Sequence, residues 1–112
     1  MKIETRAVGD VRILDCSGRI TLEEGTMAVR NSVRDILNRG MKKIVLDLAD
    51  VNTIDSPGIG ELVSAYTTAM NNGGQLKLLN LTKKIYELLK ITGLDNVFQI
   101  FDDEQSAIDS FN

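Results

Sequence analysis

The chain has 112 residues, 43% of them hydrophobic, enough to build the core of one domain. Its 13 basic residues are scattered and outnumbered by 16 acidic ones, which argues against nucleic acid or an anionic membrane as the main partner. There is no histidine and a single cysteine, Cys16; this excludes an internal disulfide, the Ser-His-Asp and Cys-His dyads and the usual zinc ligands. A lone cysteine fits a reducing compartment, the N-terminus lacks a signal-peptide core, and no apolar run is long enough to span a bilayer, so the expected location is cytoplasmic.

Residues 2–7 alternate Lys2, Glu4 and Arg6 with Ile3, Thr5 and Ala7, the pattern of a half-solvated strand. Gly9-Asp10 is a turn, and Val11 to Cys16 makes a second strand, completing a hairpin. Cys16 reads as a small core residue, since no partner thiol exists. The segment Gly18-Arg19-Ile20-Thr21 leaves that strand. Thr21 and Glu24 match a capping box, but Gly25 follows at once, so Thr26 is the alternative helix start. Val29, Val33, Ile36 and Leu37 form its apolar face; Arg30, Arg34, Asp35 and Asn38 are expected to face water, and Gly40 ends it.

Ile44-Val45-Leu46-Asp47-Leu48 is nearly continuous in apolar residues, as in a parallel strand covered on both faces. A polar link through Asn52 and Thr53 leads to Asp55-Ser56-Pro57-Gly58-Ile59-Gly60, around which the chain is organised. Ile59, Leu62, Val63, Tyr66 and Met70 follow at helical spacing over a helix predicted at 57–72. Ser56 fits as N-cap, its oxygen accepting from the amide of Gly58 or Ile59, with Pro57 at the first helical position. The glycines at 58 and 60 are harder to explain, because each costs up to about 1 kcal/mol relative to alanine inside a helix. Removing two side chains at one helix start lets another surface approach the backbone. This points to a docking surface centred on Ser56.

Gly73-Gly74 closes that helix, and Gln75 to Asn80 is another strand. Thr82 caps a helix with Ile85, Leu88 and Leu89 inward, ending near Gly93. Phe98 to Phe101 is a short last strand, Asp102-Asp103-Glu104 places acids at a helix start, and Ile108 and Phe111 close the core. The order is β-β-α-β-α-β-α-β-α, which implies an α/β domain with a mostly parallel sheet, an antiparallel first strand and about four helices. Sites in such sheets lie outside the carboxyl ends of the strands. The Thr21 loop, Asp55-Ser56 and Asn80-Leu81-Thr82 are expected to converge there.

This order, with Asp-Ser-x-Gly-x-Gly opening the second long helix, resembles the STAS domain of bacterial anti-sigma-factor antagonists. The resemblance spans nearly the whole chain, 1–112. It is most specific from Ile44-Val45-Leu46-Asp47-Leu48 through Asp55-Ser56-Pro57-Gly58-Ile59-Gly60-Glu61-Leu62-Val63, and it extends to Gly73-Gly74 and to Leu88, Leu89, Gly93 and Leu94. It implies that Ser56 is phosphorylated by an anti-sigma factor that is an ATP-dependent serine kinase. The unphosphorylated chain would bind that kinase and free a sigma factor; phosphorylation would end the binding, and a serine phosphatase would restore it. No cofactor of the chain's own is implied, since the kinase supplies ATP. The partner surface would comprise Thr21 and Glu23 with Asp55, Pro57, Gly58, Ile59 and Gly60. Pro57 stands where many members have a second serine, and Thr21 where many have an acid.

Several of these residues have a second reading. Asp55 could orient the Ser56 hydroxyl or a metal on the kinase's nucleotide, or only complement the helix dipole. Ile59 also fits the core period, and Glu23 also fits a solvated loop. A hydrolase built on Ser56 would lack a general base. A receiver-like domain phosphorylated on Asp47 would lack the acidic pair that such domains carry after their first strand. A STAS scaffold or transporter-associated subunit without phosphorylation is the remaining alternative, because fold alone does not select a function.

Overall fold

The computed structural model describes residues 1–111. Five strands form one sheet in sequence order: β1 (Lys2–Val8), β2 (Val11–Ile20), β3 (Lys43–Ile54), β4 (Gln75–Leu79) and β5 (Ile100–Phe101). β1 runs antiparallel to β2 through the Gly9-Asp10 turn; every later pairing is parallel. Helices α1 (Thr26–Asn38), α2 (Ser56–Asn71) and α3 (Lys83–Ile91) make the three crossovers, and α4 (Glu104–Asp109) follows β5. Parallel crossovers are right-handed, so strands added always in one direction put every crossover helix on one face.

The core follows this division. Leu14, Cys16, Ile44, Leu46, Leu48, Leu76 and Leu78 pack with α1, α2 and α3 in the larger cluster. Val11, Ile13, Val45 and Leu79 point the other way and pack with Ala107 and Phe111 at the end of the chain, with Val8, Phe101 and Ile108 around them. The near-continuous apolar run of β3 is thus covered on both faces only as far as Asp47; beyond it Ala49, Asp50 and Asn52 are exposed. Arg6 departs from its expected solvated role. It is half-buried and bridges Asp15, at 2.6 Å, to Glu104, at 2.7 Å, tying α4 to the sheet edge. Cys16 lies in the core, where burial, aided by Asp47 and Asp15, pushes its thiol up to about 12.

Two strands are longer than their sequences suggest. β2 continues through Gly18 and Arg19 to Ile20, and β3 continues through Asn52 and Thr53 to Ile54. The two extensions pair with each other, Arg19 opposite Thr53 and Ile20 opposite Ile54, so each supplies the other's backbone partners. Local polarity signalled a link; cross-strand pairing outweighs it. β4 stops at Leu79, opposite Asp47. The end of β3 therefore stands seven residues, or roughly 20 Å, beyond the end of β4.

Lys77 on β4 is a buried ammonium, 2% exposed. It donates to Ser110 Oγ at 2.7 Å and lies 4.2 Å from the Phe111 ring centroid. Desolvation lowers its pKa from 10.5, so below that value the unfolded chain binds the proton more readily than the folded one. Lys77→Met is expected to be about as stable as the wild type or more stable by roughly 1 kcal/mol at pH 7. The wild type should gain on the variant as pH rises from 7 to 10, because the neutral amine carries no charge to desolvate. Urea denaturation of both proteins at the two pH values checks this; a gap independent of pH would contradict it.

Candidate partner-docking site

The end of β2 and the start of α2 meet at the far end of the sheet. Asp55, at the end of β3, is the N-cap of α2, with Oδ1 accepting from the Gly58 amide at 2.8 Å. Its Oδ2 accepts from the Leu22 amide at 3.0 Å. One carboxylate thus satisfies a helix-start donor and pins the β2–α1 loop. This corrects the expected cap. Ser56 occupies the first helical position and Pro57 the second, because aspartate reaches the third amide ahead as well as serine does and here also reaches the loop. Ser56 is exposed, and its hydroxyl makes no hydrogen bond among the described residues.

The two glycines part company. A Cβ on Gly58 would sit 1.9 Å from the Ile20 carbonyl oxygen, and Gly58 is buried. The close approach that requires it is to the chain's own β2, which accounts for this glycine without any partner. Gly60 is exposed, and a Cβ there would meet nothing within 4 Å. Its helix cost has no return inside the fold. Pro57 is exposed beside it, and Ile59 is half-buried against the main core.

Thr21 and Glu24 do not cap α1, which begins at Thr26 behind Gly25. They close the loop instead: the Thr21 amide donates to the Glu24 carbonyl at 2.7 Å, and the Glu24 amide donates to Thr21 Oγ1 at 3.3 Å. Glu24 also pairs with the N-terminal ammonium at 3.3 Å, whereas Glu23 is exposed. The expected convergence of three loops is only partial. The Thr21 loop and Asp55-Ser56 are joined by the Leu22–Asp55 bond. The Asn80-Leu81-Thr82 turn follows the short β4 and stays at the level of Asp47, where Asn80 Nδ2 lies 3.5 Å from Asp47 Oδ1. A cavity of about 580 Å3 opens beside that turn, lined by Leu81, Tyr86, Phe98 and Ile100 with Asp95 and Asp102, and contains none of the Ser56 surface.

Arg30 was expected to face water but reaches across to α2. Its Nε and Nη2 donate to Glu61 Oε1 at 3.0 and 2.8 Å, and Glu61 is only 4% exposed. The pair locks the second turn of α2 to α1. Glu61 lies on the same stripe as Ala65 and Ala69, both buried, so a charge at this spacing signalled an unseen partner. Nothing local could identify Arg30, 31 residues away. Leu22 and Met27 are also exposed here, and no pattern in the chain singles them out.

A mostly parallel sheet with all its crossover helices on one face, and a helix start at the end of its two longest strands, defines a small α/β domain. A family profile described as the STAS domain matches residues 2–107, and the chain belongs to the STAS-domain family. It is 26% identical to an anti-sigma F factor antagonist of Paenibacillus polymyxa over 108 residues, covering 96% of this chain and 92% of that protein. It superposes with a TM-score of 0.88 on a Thermotoga maritima protein provisionally named an anti-sigma factor antagonist; the two are 29% identical, and the match covers 96% of this chain and 92% of the other. The phosphorylated form of the Bacillus protein SpoIIAA shares the fold, with a TM-score of 0.75 at 17% identity over 99% of this chain and all of the other. Among the described residues no helix is long and apolar enough to cross a membrane, and no cluster of carboxylates and thiol that would hold a metal ion occurs.

The packing separates the glycines and the ion pair by their stability effects. Gly58→Ala should cost about 3 kcal/mol, since backbone must move to admit the methyl. Gly60→Ala should leave stability unchanged or raise it by up to about 1 kcal/mol. Urea titration distinguishes them, and equal effects would mean that the Ile20 contact is not limiting. Arg30→Ala should lose roughly 3 kcal/mol by leaving Glu61 charged and buried. The double variant Arg30→Ala with Glu61→Leu should recover most of it in the same titration.

Proposed function

We propose that this chain is an anti-sigma-factor antagonist whose binding to an anti-sigma serine kinase is switched off by phosphorylation of Ser56 and restored by a serine phosphatase. The observation that carries the reading is the free hydroxyl of Ser56, exposed at the first position of a 16-residue helix whose capping is done by Asp55. A phosphate there adds about −1.5 to −2 charge. In the isolated domain the helix N-terminus favours that charge by roughly 0.3–1 kcal/mol, partly offset by the adjacent Asp55 carboxylate. The modification therefore leaves the fold intact. In a complex packed against Gly60 and Pro57, the same charge is partly desolvated and unpaired, at a cost of several kcal/mol. A penalty of about 3 kcal/mol lowers affinity more than a hundredfold. The interface effect exceeds the helix effect, and this difference makes a binding switch possible.

The names of the Paenibacillus and Thermotoga relatives support the antagonist role, and the phosphorylated SpoIIAA structure is a precedent for the modification on this fold. The role is one of binding, with ATP and phosphoryl transfer supplied by the partner. Ser56→Ala should bind the anti-sigma kinase whether or not ATP is present. Ser56→Asp should bind at least tenfold more weakly yet melt within about 3 °C of the wild type. Titration calorimetry and thermal melts check both; ATP-sensitive binding by Ser56→Ala would sink the proposal.

A further inference from the structure

We infer that Leu22 and Met27 are the apolar anchors of the anti-sigma kinase interface, on the loop and the helix that Asp55 and Glu61 join to the first turns of α2. The inference rests on the reading of Ser56 given above and adds to it the residues that supply affinity. Leu22 is 72% exposed and Met27 is 55% exposed. Each is one contact removed from the first turns of α2. The Leu22 amide is bound by Asp55, the α2 cap, while Met27 Sδ lies 3.6 Å from Arg30 Nη1, whose guanidinium holds Glu61. The backbone that carries Leu22 and the thioether of Met27 are therefore tethered before any partner arrives. The loop bearing Leu22 is closed between Thr21 and Glu24, and Met27 stands in the first turn of a 13-residue helix. Apolar side chains on an ordered backbone lose less entropy on binding than those on a loose loop, which suits them as anchors.

Gly60 gives the surface its direction. Its missing side chain serves no contact within the fold, so the space above it is available to something outside. Exposed Glu23 stands in the same loop and makes no ion pair among the described residues. The complementary surface is a protein patch with an apolar socket and a neighbouring lysine or arginine. Of the other exposed apolar residues, Ile91 and Val97 belong to α3 and the segment after it, and Met70 lies at the opposite, C-terminal end of α2.

The test titrates the full chain with each purified anti-sigma serine kinase encoded in its source genome. Leu22→Ser and Met27→Ser should each weaken binding at least tenfold, chiefly through faster dissociation. Leu22→Met should restore most of the affinity, Ile91→Ser should bind like the wild type, and all should melt like the wild type because the changes are at exposed sites. Wild-type affinity in both serine variants, with binding still lost in Ser56→Asp, would overturn the anchors and leave the Ser56 reading standing. Failure of the wild type to bind any of the kinases would remove that reading and the anchors with it.

Discussion

The carbonyl of Ile20 and the first turn of α2 approach so closely that only glycine fits at position 58. This contact sets the geometry of the whole docking end. It joins the last residue of β2 to the helix that follows β3, and β3 reaches that point only because its second half pairs with the extension of β2. Asp55 completes the junction, with one oxygen on α2 and the other on the loop that leaves β2. Helix start, loop and strand ends thus form one rigid unit. Ser56 rides on this unit with its hydroxyl exposed and free of hydrogen bonds among the described residues.

Strand order explains why the functional edge is a surface. Where a sheet's strand order reverses, helices on opposite faces diverge and leave a crevice for a ligand. Here the five strands run in sequence order and the crossover helices share one face, so no reversal occurs. What remains at the end of β2 and β3 is a helix N-terminus, a short loop and a few small or apolar side chains. It presents exposed leucine and methionine, an acid unpaired among the described residues, and a free hydroxyl at the first position of a long helix, the features on which the proposed switch rests.

The buried charges show two ways of managing desolvation. Glu61 is ion-paired by Arg30, and the pair fixes how α1 lies against α2. Lys77 has no carboxylate partner among the described residues; a hydroxyl and the face of Phe111 are its neighbours. The first charge is therefore an orientation device within the docking end. The second is a tolerated cost at the opposite side of the sheet, beneath the last helix.

Local pattern was enough for the element order, the hairpin, the Thr82 cap and the exposure of a hydroxyl at a glycine-containing helix start, while it left two possible starts for α1. Those features depend on side-chain periodicity and capping over a few residues, and the chain carries both. The sequence pointed to Ser56 as the cap of α2; Asp55 takes that place because its second oxygen also holds the Leu22 amide, 33 residues earlier. Tertiary structure alone decided the long ends of β2 and β3, the partnership of Arg30 with Glu61 and the different reasons for two glycines two residues apart. Each of these turns on an atom far away in the chain, such as the Ile20 carbonyl or the Arg30 guanidinium, whose position exists only after the sheet has assembled.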